Sequence, residues 1–191
     1  MSRIISGFAK GLFIDVFPQK NLRPTSCRAK EALFDIIQFD IKDKVFIDLF
    51  SGTGQIGIEA LSRGAKKVIF VDHSRKSVEI LKKNLKKVQD HCEEKLDTEI
   101  YLSDVSKFLD RFSEKSDFVF ADAPFAMKIN CDILRKIVKI TKTCGTIITE
   151  TLLNNKQIDE CDSFHLIKKY IYSKISLNFY KYKEEEYIDG F

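Results

Sequence analysis

The chain has 191 residues, a formal net charge of +4, 44% hydrophobic and 31% charged residues, which places it in the ordinary soluble globular class with one substantial core and at most a small appendage. Five scattered cysteines (Cys27, Cys92, Cys131, Cys144, Cys161) and three histidines (His73, His91, His165) show no ligand spacing, which argues against a disulfide frame or a metal site and for reduced thiols in the cytoplasm. No run approaches the roughly 20 apolar residues of a membrane span, and Lys10 and Asp15 break any signal-peptide core, so no membrane partner is expected.

Residues 2–17 alternate loosely around Gly7 and Gly11 and read as a small β-hairpin or pair of extended segments. Residues 21–26 form a loop, with Thr25 or Ser26 placed to cap a helix that begins near Cys27 and buries Ala29, Ala32, Leu33, Ile36 and Ile37. From Lys44 onward strand and helix signals alternate, which predicts βαβ units and a parallel sheet. Strands are expected near 44–49, 67–72, 99–102, 118–121 and 146–151, and helices near 55–63, 74–89, 105–112 and 131–141. Ser74 caps the second of these helices, whose outer face is rich in lysine (Lys82, Lys83, Lys86, Lys87). Residues 153–163 read as helix and loop, and 164–172 with 174–182 as a closing hairpin that makes the sheet mixed at its edge. The expected division is an N-terminal extension (1–40), a main α/β domain (41–183) and an acidic tail (184–191), with no internal repeat; a monomer is expected.

The stretch from Val45 to Glu59 organises the chain. Val45-Phe46-Ile47 is an apolar strand of the kind covered on both faces. Gly52 and Gly54 permit a tight turn and close approach of a ligand, and Gly57 permits the next helix to lie on the strand, as in nucleotide-binding βα turns. Asp72 ends the following strand, where the ribose-binding acid of such units sits. Asp48 discriminates among nucleotides. A pyrophosphate about 4 Å away would be repelled by about 1 kcal/mol in water and about 4 kcal/mol at an effective dielectric of 20. S-adenosylmethionine lacks phosphate and brings an ammonium and a sulfonium, so Asp48 favours a methyl donor.

A second chemical element, Asp122-Ala123-Pro124-Phe125, follows the fourth strand. It falls at the carboxyl edge of the sheet, where open α/β sheets bind ligands, facing the same crevice as the glycine turn. A carboxylate and a backbone carbonyl there can accept N–H bonds from an exocyclic amine and aim its lone pair, with Phe125 stacking on the base for roughly 1–3 kcal/mol.

The chain resembles the RsmD family, the guanine-N2 methyltransferases of small-subunit (16S) ribosomal RNA, nearly end to end. The resemblance is carried by Arg3-Ile4-Ile5-Ser6-Gly7, Lys10-Gly11, Arg23-Pro24-Thr25-Ser26, Arg28-Ala29-Lys30-Glu31-Ala32-Leu33-Phe34, Asp48-Leu49-Phe50-Ser51-Gly52-Thr53-Gly54 and Glu59-Ala60-Leu61-Ser62-Arg63-Gly64-Ala65. It implies a Rossmann-like class I methyltransferase with a mixed seven-stranded sheet, helices on both faces and an N-terminal extension facing RNA. By position it implies that Asp48 and the turn Phe50, Ser51, Gly52, Thr53 and Gly54 hold the methionine part of S-adenosylmethionine. Asp72 with His73 would take the ribose and Asp104 with Val105 the adenine. Asp122, Ala123, Pro124 and Phe125 would form the catalytic site, and Arg3, Lys10, Arg23, Arg28 and Lys30 would contact the RNA, mostly at phosphates. The implied partner is small-subunit ribosomal RNA or a ribosomal particle. Three positions depart from the family pattern: Ala123 replaces a proline, Phe125 a tyrosine, and Cys27 an acid. Ala123 keeps the carbonyl and, preceding Pro124, stays biased to an extended backbone. Other readings compatible with the residues are an amine methyltransferase for DNA adenine or protein glutamine, or a non-catalytic RNA-binding or ribosome-assembly factor on the same fold. A nicotinamide dehydrogenase fits worst, since Asp48 is badly placed and no second substrate domain follows.

Overall fold

The computed structural model describes residues 1–17, 24–124, 129–155 and 158–183, with residues 24–27 described by backbone alone. A short antiparallel pair, β1 (Ser2–Arg3) and β2 (Phe13–Ile14), opens the chain as the hairpin signals predict. Helix α1 spans Pro24–Ile37, so it begins earlier than expected and includes Thr25 and Ser26 instead of being capped by them. Proline suits this first turn: its φ is already helical, and the N–H it lacks would have had no partner there. Ala29, Leu33, Phe34 and Ile37 form the buried stripe, while Ala32 and Ile36 are half-buried.

Five parallel strands then build one side of the sheet: β3 (Val45–Leu49), β4 (Lys67–Asp72), β5 (Thr98–Leu102), β6 (Ser116–Asp122) and β7 (Thr141–Leu152). Their crossovers contain α2 (Gln55–Ser62), α3 (Arg75–Gln89), α4 (Val105–Arg111) and α5 (Cys131–Lys139). Strands β8 (Glu160–Cys161), β9 (Phe164–Tyr172) and β10 (Ile175–Tyr182) complete an eight-stranded sheet in the order β5-β4-β3-β6-β7-β10-β9-β8. β10 runs antiparallel between β7 and β9, which is the mixed edge that the closing hairpin predicts.

Three details differ from expectation. Strand β7 starts at Thr141 instead of Thr146, because Ser116 pairs with Thr141 while Phe118 pairs with Thr146 and the intervening residues bulge. Gly145 makes that bulge possible: a Cβ there would stand 2.9 Å from the Asp117 carbonyl. The expected helix within 153–163 is absent among the described residues. Instead Leu153 N–H bonds the Lys174 carbonyl (3.0 Å) and Glu160–Cys161 pairs with β9, adding an eighth strand to the expected seven. These backbone bonds to the adjacent hairpin stand where the helix was expected.

Side chains alternate between two cores. Phe46, Phe70, Phe118, Phe120, Ile148 and Leu177 point to one face. Ile47, Ile69, Val119 and Ile147 point to the other, toward α4 and α5. The N-terminal hairpin belongs to the first core through Ile4, Ala9 and Ile14.

Buried polar clamps hold it there. Glu59, fully buried in α2, accepts the N–H groups of Ile5 (2.9 Å) and Ser6 (3.0 Å) and pairs with Arg63 (2.9 Å) and Lys30 (3.4 Å). Ser62 accepts from Ala9 N–H and donates to the Ser6 carbonyl (2.5 Å). Gly7 passes so close, at φ +85°, that a Cβ would overlap the Ser62 carbonyl. The N-terminal segment and the Glu59–Ala65 segment of the family resemblance therefore meet in space.

Candidate active site

The site starts from a strand-turn-helix in which two glycines, Gly54 and Gly57, sit where no side chain would fit. Phe50 adopts φ 62° although it is not glycine, a strain of about 1–3 kcal/mol, and Ser51 N–H donating to the Val71 carbonyl (2.9 Å) helps hold it. Gly54 at φ 86° heads α2, and a Cβ there would meet Leu81 Cδ1 at 2.3 Å. A Cβ on Gly57 would meet the Phe70 ring at 2.3 Å, so this glycine does bring the helix onto the sheet. Above Gly52, at φ 54°, a Cβ would meet nothing within 4 Å: the turn opens to free space on that side.

Two carboxylates set the turn. Gly54 has no side chain with which to cap α2, and Asp48 supplies the missing acceptor from the strand, taking the Gly57 N–H at 2.8 Å. Asp48 is 2% exposed, so it lies beneath the turn, and burial lifts its carboxyl to about 8, with Asp122 and Asp72 adding repulsion in the same direction. Asp72, also buried, accepts Gly52 N–H at 2.8 Å and Ser74 N–H at 2.7 Å, which ties the turn to the end of β4. His73 beside it is exposed. Ser51 Oγ is buried and has no partner among the described residues. At the end of β5, Asp104 caps α4 through Lys107 N–H (3.2 Å), and Val105 is buried behind it.

Register adds a residue that the sequence reading missed. Asp122 lies opposite Glu150 on β7, and alternation puts Asp48, Asp72, Asp122 and Glu150 on one sheet face at the carboxyl ends of four neighbouring strands. Asp122 is accessible at the cleft mouth yet closely ringed by protein, and the partial dehydration raises its carboxyl to about 6. Burial, and then the charge of Asp122, raises Glu150 to about 8. Asp122, Ala123 and Glu150 line one cavity with Ile129, Leu152 and Ile175 as its apolar wall. The signal that could have revealed Glu150 is its position: four of the five parallel strands, all but β5, carry an acid on this face within their last three residues. Phe125 lies outside the described residues, as does Arg23.

Of the remaining basic residues, Arg3, Lys10 and Arg28 are exposed. Arg3, Lys10 and Lys30 line a second cavity of about 260 Å³ beside the hairpin. Lys30 is buried, however, and its ammonium donates to the Arg3 carbonyl (2.9 Å) next to Glu59, so it fastens the hairpin and is not free for RNA. Among the described residues no group of three His, Cys, Asp or Glu side chains could hold a metal ion, and no helix is long and apolar enough to cross a membrane.

The strand order, the glycine turn and the acid-lined edge together define the class I methyltransferase fold. The chain belongs to the RsmD family: the family described as Conserved hypothetical protein 95 matches residues 2–181. Among curated relatives, the ribosomal RNA small subunit methyltransferase D of Haemophilus influenzae is 37% identical over 125 residues, an alignment spanning 64% of this chain and 63% of that protein. The chain thus spans just under two thirds of that relative. Among solved structures, the putative methylase HI0767 from H. influenzae is 27% identical with a TM-score of 0.77, covering 95% of this chain and 98% of its own. The putative methyltransferase yhhF from Escherichia coli, at 22% identity, shares the fold with a TM-score of 0.82 over 96% of this chain and 98% of its own.

Proposed function

We propose that the protein uses S-adenosylmethionine to methylate an exocyclic amine, N2 of a guanine, in small-subunit ribosomal RNA. The observation that carries this is the row of four carboxylates running from beneath the glycine turn to the Asp122-Ala123-Pro124 edge. Gathered at one edge and partly dehydrated, these acids repel one another, and a cationic ligand relieves that repulsion. The open space over Gly52 and the unpartnered Ser51 Oγ fit a ligand lying across the turn. The residues that would hold the donor are the backbone of Phe50–Gly54, Asp72 at the ribose and Asp104 with Val105 at the adenine. Asp48, protonated up to about pH 8, acts from beneath by holding the Gly57 N–H and with it the shape of the turn.

S-adenosylmethionine supplies an electrophilic methyl group. The chain's part is orientation, because an aromatic amine has a delocalised lone pair and is a poor nucleophile. Asp122, ionised above about pH 6, accepts one N–H bond of the amine. The Ala123 carbonyl, kept extended by Pro124, accepts the other. Glu150 stands beside Asp122 as a further acceptor on the same cavity wall. Support for the RNA comes from the H. influenzae relative, a ribosomal RNA small subunit methyltransferase by name, and from exposed Arg3, Lys10 and Arg28 on the N-terminal side. Such a substrate is met in the cytoplasm.

The test is Asp122→Ala with two readouts. S-adenosylhomocysteine binding by calorimetry is expected to stay within about threefold of wild type, while methyl transfer to ribosomal RNA falls by at least 100-fold. Wild-type turnover in this variant would overturn the assigned role.

A further inference from the structure

The net charge of the chain is +4, yet α3 alone carries Arg75, Lys76, Lys82, Lys83, Lys86 and Lys87 against the single acid Glu79, a net +5 that leaves −1 for everything else. The helix is sharply two-faced. Val78, Leu81, Leu85 and Val88 are buried, and Arg75, Lys76, Lys82, Lys83 and Lys86 are exposed. Of these six cations, Lys87 pairs with Asp15 at 2.7 Å.

Two features go beyond an ordinary solvated face. First, Arg75 and Lys76 occupy the first turn, where no acid is present and where the helix dipole disfavours cations by roughly 0.3–1 kcal/mol each. A helix selected for stability alone would place acids there, and a local rule broken without structural return points to a ligand. That turn follows directly on Asp72 and Ser74, the end of α3 nearest the glycine turn. Second, the basic face is locked to the rest of the proposed RNA side. Asn84, fully buried in α3, accepts Asp15 N–H (2.8 Å) and donates to the carbonyls of Asp15 (2.9 Å) and Thr53 (2.9 Å). One side chain thereby joins the N-terminal extension, the basic helix and the donor turn.

We propose that the exposed face of α3 is a phosphate-binding track for the RNA substrate, continuous with the N-terminal extension. This rests on the reading of the protein as an RNA methyltransferase and extends it to a surface outside the reacting cavity. The helix is about 22 Å long, enough for several phosphates. Phosphate contacts of this kind fix register and carry no base preference, which assigns α3 to docking and leaves the choice of base to the cavity of Asp122 and Glu150.

The experiment measures direct binding, by fluorescence anisotropy, of an in vitro transcript of small-subunit ribosomal RNA between 50 and 300 mM KCl. The variants are Lys82→Glu/Lys83→Glu/Lys86→Glu and a control with equal charge change, Lys66→Glu/Lys139→Glu/Lys174→Glu, all at exposed positions. The α3 variant is expected to lose at least tenfold in affinity at 100 mM salt, and its log–log salt slope to shrink by about 2–3, the equivalent of three phosphate contacts. S-adenosylhomocysteine affinity, measured alongside, shows that the α3 variant is folded. The control is expected to remain within threefold of wild type. An α3 variant that keeps wild-type affinity and slope, or a control that loses as much, overturns the proposal. Because binding is read without turnover, a wild-type protein that binds the transcript and transfers no methyl group would refute the assigned reaction while leaving this track standing.

Discussion

Replacing Asp48 with Asn probes the acidic row where it is driest. The carboxyl is 2% exposed and is held up to about 8, first by burial and then by the charges of Asp122 and Asp72. In the unfolded chain it would ionise near pH 4. Between those values the unfolded state sheds a proton that the folded state retains, so this group's stabilisation is complete below about pH 4 and is lost as the pH rises through about 8. The slope is about 1.4 kcal/mol per pH unit, which sets a ceiling of about 4 kcal/mol between pH 5 and 8. Asn keeps an acceptor for the Gly57 N–H and cannot ionise. The stability of Asp48→Asn relative to wild type is therefore expected to grow with pH, by about 2–4 kcal/mol from pH 5 to 8, in urea unfolding of the ligand-free proteins. A stability difference that stays flat over this range would show that Asp48 is already ionised in the folded protein and would refute the dehydrated acidic row.

Further outcomes follow from the same geometry. Transfer by the wild-type enzyme should rise with pH through about 6 as Asp122 ionises, and Glu150→Gln, which removes an acid still protonated at that pH, should leave the midpoint in place; a midpoint moved by a full unit in single-turnover profiles would show that Glu150 ionises first. Asn84→Ala strands Asp15 N–H and the Asp15 and Thr53 carbonyls, each worth about 1–3 kcal/mol when buried unpaired, so melting should drop and RNA affinity weaken more than donor affinity. Gly57→Ala should cost about 1–3 kcal/mol by overpacking against Phe70, outweighing the usual helical gain of alanine, as read by chemical denaturation. Glu59→Ala leaves Lys30 and two backbone N–H groups without their buried partner, and a loss of about 3–5 kcal/mol with early proteolysis in the N-terminal hairpin is expected.

The central sheet was legible in the sequence because parallel strands covered on both faces read as apolar runs, and glycines punctuate their turns. Val45–Leu49, Lys67–Asp72 and the helix capped by Ser74 needed nothing beyond local pattern. The misses are places where distant partners decide. Pro24 starts α1 because its own geometry fits a first turn, although the hydroxyls after it looked like caps. Thr141 pairs five residues before Thr146 only because Gly145 lets the strand bulge against Asp117. At the site, the turn and Asp122 were readable, but the roles of single residues were not. Asp48 read as part of the donor-binding turn, and only the structure shows that it is buried and caps α2 through the Gly57 N–H. Lys30 looked like a phosphate contact and is bound to the hairpin and Glu59. Glu150 carried only its place near a strand end, which strand register turns into a neighbour of Asp122, and Asn84 carried no local signal, since its role comes from a helix face meeting two loops.

The most direct measurement is transfer of labelled methyl groups from S-adenosylmethionine to small ribosomal subunits, or to their RNA, prepared from cells lacking this protein, followed by nucleoside analysis of the product. The account predicts label in N2-methylguanosine of the small-subunit RNA, abolished by Asp122→Ala. Label in an adenosine or in protein, or no transfer by a protein that binds the donor, would contradict it.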